Sequence, residues 1–379
     1  MAFEIPAGLV DRIRAEAARL GFSRLGIAPA TPPPHHDAFR AWLATGLAGA
    51  THEWLARHAT LRADPRSLLP GATTIVMLAT DHVADVPESA GPQGRVARYA
   101  WGDDYHDLLR ARGNALAAWL EAAVPGCATR AVVDSAPLAE RDFAALAGLG
   151  WIGKNTMLIH PGAGSYFLLT ALLTDLALPI DAPLDVDHCG TCTACLDACP
   201  TQAFPEPRVL DARRCISALT IEDHGHIAPE LRPAMADWIF GCDVCQEVCP
   251  WNRHAPGSLE PAFQPRGGAA ALDPGDLLHL DAAGFRDRFR GSAIRRAKRR
   301  GLLRSAALAL GNRPDAGRLD VLTVALDDEE SVIRAAAAWA LGRWVAAGVA
   351  VDAARAALGG RRAVETDPEV RAEIVAALA

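Results

Sequence analysis

Apolar residues recur at helical spacing from the start of the chain. Residues 1–21 predict an amphipathic helix with Leu9, Ile13 and Leu20 turned inward and Gly21 as its stop. The period then changes. Residues 73–79 (TTIVMLA) and 128–134 (ATRAVVD) are short, nearly continuous apolar runs that predict buried strands, while residues 105–124 predict a long helix. Residues 156–160 and 165–173 flank a Pro-Gly-Ala-Gly turn and predict a hairpin. Residues 1–185 therefore read as an α/β or α+β domain with a mixed sheet. Residues 261–273 carry Pro and Gly and read as a linker. Beyond it the texture becomes Ala/Leu/Arg-rich helices. Residues 331–342 align with 368–378 at an offset of 37, placing Arg334 on Arg371 and Leu341 on Leu378, and residues 303–311 resemble the same unit. A helical unit at that period predicts a short HEAT-like stack over 274–379.

Composition changes this picture little. With 379 residues, half of them hydrophobic and 22% charged, the chain suits two or three globular domains. Charged residues, Pro or Gly break every apolar run before membrane-spanning length. The N-terminal stretch lacks a basic, apolar-cored export signal and a twin-arginine pair, so the expectation is a cytoplasmic protein with no membrane contact. Charge is more informative. Against a net charge of -7, the stretch from Arg286 to Arg304 holds nine basic residues and one acid, Asp287. A basic patch on an acidic chain predicts one polyanion-binding surface, set against the plainer reading of a solvated helix face.

The candidate chemistry lies in the cysteines. Eight of nine fall between 189 and 249, as Cys189-x2-Cys192-x2-Cys195-x3-Cys199-Pro and as Cys215 followed by Cys242-x2-Cys245-x3-Cys249-Pro. In two-cluster ferredoxins the fourth cysteine of each run ligates the other cluster. The spacing thus predicts one [4Fe-4S] cluster on Cys189, Cys192, Cys195 and Cys249, and a second on Cys199, Cys215, Cys242 and Cys245. A disulfide framework suits small secreted domains, and zinc seldom takes three cysteines at x2 spacing followed by one at x3. Residues 186–260 form a ferredoxin-like domain on this reading, with the irons replacing much of a core. Cys127 is left over as a buried apolar residue.

Other patterns need context. The run from Gly148 to Lys154 satisfies G-x-G-x-x-G, but a helix precedes it and a strand follows, the reverse of a phosphate-binding loop. The glycines either make a tight helix-to-strand turn or let backbone approach something flat and bulky. Asp134 ends a strand before Ser135-Ala136-Pro137 and reads as a turn or cap residue; alternatively it is a proton donor whose apolar neighbours raise its pKa. His35 and His36 fall in a Pro-rich loop, and His188 lies at the surface beside a cluster.

Taken with HEWLARH, LRADPRSLLPGA, RYAWGDDYH, the long segment VVDSAPLAERDFAALAGLGWIGKNTMLIHPGAGSYFLLTALLTDL, CISALTIEDHG and WIFGCDVCQEVCPWN, these features resemble the epoxyqueuosine reductase family over nearly the whole chain. The resemblance implies a cobalamin-binding catalytic domain (1–185), the ferredoxin-like domain with two [4Fe-4S] clusters (186–260) and HEAT-like repeats (274–379). It implies reduction of epoxyqueuosine to queuosine at the wobble position of tRNAs for Tyr, His, Asn and Asp, by a monomer fed from a low-potential electron donor. It places Asp134 as the essential acid, Arg57, Arg98, Lys154, Asn155 and Ser217 around the corrin, and Arg295, Arg296, Lys298, Arg299, Arg300 and Arg304 on tRNA. Ala218 stands where an aromatic residue is expected, and Trp101 and Asp103 where basic residues are common. No Asp-x-His-x-x-Gly motif occurs, which agrees with cobalamin bound without a lower histidine. A reductive dehalogenase would share the cofactors but have no use for the basic patch, and a ferredoxin-like carrier would not need the first 185 residues.

Overall fold

The computed structural model describes residues 5–84, 94–184, 187–266 and 268–379. Its centre is a four-stranded sheet in which Phe167–Thr174 lies between Thr74–Asp81 and Thr129–Val132, with Arg24–Pro29 beyond Thr74–Asp81. Every pairing in it is antiparallel, so the mixed sheet expected here is replaced by an α+β arrangement. The strand Thr74–Asp81 carries an unbroken apolar run from Ile75 to Ala79 because both of its faces are covered. Val76 and Leu78 meet Leu9, Ile13, Leu109 and Leu116 from the helices Leu9–Arg19 and Tyr105–Ala123. Ile75 and Met77 meet Phe143 and Ala144 of the helix Glu140–Leu146 on the opposite face. Burying each such side chain contributes about 1.5–3 kcal/mol.

Two expectations fail through long-range pairing. The hairpin around residues 161–164 does not form: Leu158–Ile159 pairs with Trp151–Ile152, leaving only a bridge between His160 and Gly164. Gly164 adopts φ 65° with Asn252 packed against its α-carbon, and the chain leaves the turn for the central sheet. The segment read as a linker contributes Ala271–Leu272 to a small sheet with Gly94–Val96 and Trp238–Phe240. The proposed boundary at 185–186 lies outside the described residues.

The C-terminal helices Lys298–Asn312, Ser331–Ala346 and Pro368–Leu378 cross closely at small residues. A Cβ on Gly311 would sit 2.8 Å from the Ala340 α-carbon, and one on Gly342 would sit 2.6 Å from the Ala377 Cβ. One apolar core runs from Ile216, Trp238 and Phe240 through Leu302 and Trp344 to Ile374. The region after Cys215 therefore has a side-chain core of its own, built jointly with the helices. Among the described residues no helix is long and apolar enough to cross a membrane.

Candidate active site and cluster loops

Asp134 follows the edge strand Thr129–Val132 and turns the chain at φ 46°, a left-handed conformation that costs a non-glycine residue about 1–2 kcal/mol. Its N–H donates to Glu140 Oε1 at 2.7 Å, fixing the loop to the following helix. Its side chain is 57% exposed, so the carboxylate faces an open cleft. Tyr105 Oη–H donates to Asp134 Oδ2 at 2.9 Å, and His106 Nε2 lies 2.9 Å from the same oxygen.

The expected upward pKa shift of Asp134 is not found. Desolvation does push it up, but the His106 and Tyr105 hydrogen bonds and the charges of His106 and Arg296 outweigh it and hold the carboxyl below its ordinary value. Glu140 behaves in the opposite way: burial, reinforced by the Asp134 charge, pushes it up to about 8. His106 is also pushed up, to about 9; burial acts against this, and hydrogen bonds and charges from Asp104 and Asp134 prevail. Sequence reading attached no role to His106. The spacing Asp104-x-His106 at a helix start was the available signal.

Across the cleft, the helix Ile216–Ile221 begins beside Cys215 and ends at Glu222, which pairs with Arg296 at 3.0 Å. The Tyr99 phenol is pushed up by burial and by the charges of Asp134, Glu222 and Asp243, and its ring packs 5.9 Å from that of Tyr105 and 6.1 Å from that of Phe240. Asp243 is itself buried between two of the cysteines and accepts the N–H of Arg98 at 2.8 Å.

The cysteine loops lie close enough for their thiols to act on one another, Cys195 on Cys245 included. Burial raises the Cys249 and Cys195 thiols, and the neighbouring Cys189 and Cys192 raise both further. Burial likewise raises Cys215, Cys242 and Cys245, with Cys242 reaching about 12; Cys215 and Cys199 act on Cys242 as neighbours. Thiols crowded in poor solvent, each opposing the others' ionisation, suit a cationic centre that displaces their protons. Cys192 is exposed; Trp151 and Trp251 pack with Cys189 and Cys249, the Trp151 ring lying edge-on 4.8 Å from His188 and 5.2 Å from Trp251.

The residues expected around the corrin are spread over several elements. Lys154 Nζ donates to the carbonyls of Gly190 and Cys192 at 2.7 and 2.9 Å, and Asn155 Nδ2 to that of Cys245 at 3.2 Å. Both hold the backbone of the cysteine loops. Gly148, Gly150 and Gly153 pack on Ala182 and Ile159, which resolves that run as a tight turn. Arg57 is exposed, its Nε donating to Glu53, and Ser217 is half-buried on the helix after Cys215. Arg98 packs between the Trp101 and Tyr166 rings, its buried Nε–H without a partner among the described residues.

The basic segment divides. Arg295 and Lys298 are exposed and form no ion pair among the described residues, and Arg296 lies at the cleft. Arg299 pairs with Asp328 and Arg300 with Glu330, while Arg304 is 1% exposed and bonds the carbonyls of Leu219 and Gly225. Part of the basic run is thus paired by carboxylates from distant segments.

Residues 188–252 match the family model described as "4Fe-4S double cluster binding domain", and residues 62–135 match "Epoxyqueuosine reductase QueG, DUF1730". The chain is 43% identical over 346 residues to the epoxyqueuosine reductase of Xanthomonas campestris pv. campestris, covering 89% of this chain and 96% of that protein. It is 41% identical over 311 residues to that of Escherichia coli, covering 81% and 82%. A crystal structure of epoxyqueuosine reductase with a tRNA-Tyr epoxyqueuosine-modified stem loop superposes with a TM-score of 0.91 at 31% identity, covering 98% of both chains. The Bacillus subtilis enzyme, solved with its catalytic aspartate loop swung out of the active site, superposes at 0.90 and 30% identity, again over 98% of each chain.

Proposed function

The chain belongs to the epoxyqueuosine reductase family, and from that premise we infer how its residues divide the reduction of epoxyqueuosine to queuosine in tRNA. The overall change removes the epoxide oxygen as water and leaves an alkene, consuming two electrons and two protons. One observation carries the reading: Tyr99 links the two sides, packing on Tyr105, the hydrogen-bond partner of Asp134, and on Phe240, two residues before Cys242. A proton donor and an electron source thus converge on one space.

The cleft suits a cobalamin. It is open at Asp134 and adjoined by Tyr99, Tyr105 and the guanidinium groups of Arg62 and Arg98, whose buried Nε–H groups have no partner among the described residues and would, on a small side-chain shift, suit the amide-bearing rim of a corrin. Arg98 and Ser217 are the residues assigned to hold it, with Arg57 at the exposed margin. When bound, cobalamin supplies low-potential electrons at the epoxide carbon. Asp134 hands the proton to the departing oxygen, which would otherwise leave as an alkoxide. Tyr105 and Glu140 keep the Asp134 carboxylate and backbone in place.

The crossed cysteine sets are assigned to two [4Fe-4S] clusters. The set with exposed Cys192 takes electrons from an external donor, and the set with Cys215, Cys242 and Cys245 passes them toward the cleft. Arg295, Arg296 and Lys298 are assigned to anticodon-arm phosphates, with the wobble nucleoside turned out of its loop into the cleft. The repeated glycine crossings at Gly311 and Gly342 support a HEAT-like stack behind this surface. The test is reconstitution. Purified protein should hold about eight irons, show corrin absorption, and convert an epoxyqueuosine stem loop under a low-potential reductant. Full conversion by corrin-free protein would overturn the cobalamin assignment.

A further inference from the structure

A donor that releases two protons per turnover must be refilled, and Asp134 is poorly placed to store a proton itself. Its carboxylate is 57% exposed and already accepts two hydrogen bonds on Oδ2, from Tyr105 and His106. The store lies one bond away. His106 Nε2 is 2.9 Å from Asp134 Oδ2, and its Nδ1 is 2.8 Å from Asp104 Oδ1. That Asp104 oxygen also accepts the His106 backbone N–H at 3.1 Å as the cap of the helix Tyr105–Ala123, so ring and backbone are held by one carboxylate. The Tyr105 ring stacks on the imidazole with centroids 4.0 Å apart, leaving little freedom to rotate.

We propose that Asp104, His106 and Asp134 form a proton relay in which His106 is the acid that loads Asp134, and Asp104 is the positioning residue that holds the imidazole. The proposal rests on Asp134 being the donor to substrate. In the first passage the Nε2 proton of His106 moves through the Asp134 carboxylate to the epoxide oxygen as one C–O bond breaks, leaving a hydroxyl. His106, now neutral and held through Nδ1–H by Asp104, regains a proton from solvent. The second passage protonates that hydroxyl, which departs as water as the other C–O bond breaks and the C=C bond forms. The two electrons come from the iron–sulfur centres of the same reaction.

The charge balance supports this order. The helix N-terminus disfavours an imidazolium, yet two carboxylates flank the ring and hold its pKa near 9. Glu140, Arg62 and Arg141 lie behind the Asp134 loop, Arg110 acts on Asp104 from the same helix, and Arg296 and Glu222 face the pair across the cleft. At neutral pH the proton therefore resides on the imidazole and not on Asp134, and the two groups titrate as one unit.

The test compares single-turnover conversion of an epoxyqueuosine stem loop by reduced holoenzyme across pH 6–10. The parent rate should be level to about pH 8 and fall above it. In His106→Gln, Asp134 must carry its own proton, so the rate should be down at least about tenfold at pH 7 and fall tenfold per pH unit across 6–8, with stem-loop affinity and cluster absorption unchanged. A parent-like rate and profile in His106→Gln overturn the relay. A histidine NMR titration of the oxidised holoenzyme gives the second readout. His106 should titrate near 9 in the parent and lower in Asp104→Asn and Asp134→Asn; an ordinary value in the parent overturns the proposal. Loss of the rate in Asp134→Asn but not in His106→Gln would remove the relay alone, whereas a parent-like Asp134→Asn would remove the donor assignment beneath it.

Discussion

Arg304 donates to the carbonyl of Leu219 at 2.6 Å from a side chain that is 1% exposed. A guanidinium taken from the basic run is thus spent joining the C-terminal helices to the helix behind Cys215. Arg304→Met should lower stability by about 1–3 kcal/mol, since it strands two carbonyls. Thermal melting checks this, and the salt dependence of tRNA binding should match the parent's.

The exposed members should behave in the opposite way. Replacing Arg295, Arg296 and Lys298 with alanine should leave melting and iron content unchanged, raise KM for the stem loop and flatten the salt dependence. The expected change is about 0.7–0.9 log units per decade of salt for each phosphate that is no longer neutralised. An unchanged slope would reduce the patch to a solvated helix face.

Asp134→Asn preserves shape but cannot pass a proton. Iron content and stem-loop affinity should be retained while the single-turnover rate drops by about 10²–10⁴-fold.

Cys199→Ser and Cys249→Ser should each damage the cluster whose other ligands lie in the opposite run. Electron paramagnetic resonance of the reduced variants reads this directly. Loss of the Cys189, Cys192 and Cys195 cluster on changing Cys199 would show that the runs are not crossed.

Glu365 is buried and pairs with Arg334 and Arg361 at 2.8 Å. Burial alone would raise its pKa, but the two arginines and the Asp367 N–H pull it down to about 2 from an ordinary 4.5. Its contribution is therefore complete above pH 4.5 and lost as pH falls toward 2. Over that window the parent should lose on the order of 3 kcal/mol that Glu365→Gln, already less stable at pH 7, does not lose. Acid titration of the melting temperature separates the two.

What could be read from the sequence was local. The helices at Leu9 and Tyr105, the strand beginning at Thr74 and both cysteine runs follow from spacing within a short window. The hairpin around Gly164 failed because Leu158–Ile159 pairs with Trp151–Ile152 and Phe167–Thr174 with strands far away in sequence. Arg299 and Arg304 were misjudged for the same reason, their partners lying 29 and 85 residues away. Asp134 was legible as chemistry but its pKa was not, because the group that decides it, His106, comes from another element.

Lys154 and Asn155 are consecutive, and each grips the backbone of a different cysteine loop, the first at Gly190 and Cys192 and the second at Cys245. One turn is therefore a ruler for both cysteine loops. Tunnelling slows exponentially with separation, so a turn that admits no slack fixes the tempo of electron delivery as firmly as it fixes position. The chain's second lysine, Lys298, is exposed on the basic segment. The first stands where a length is kept.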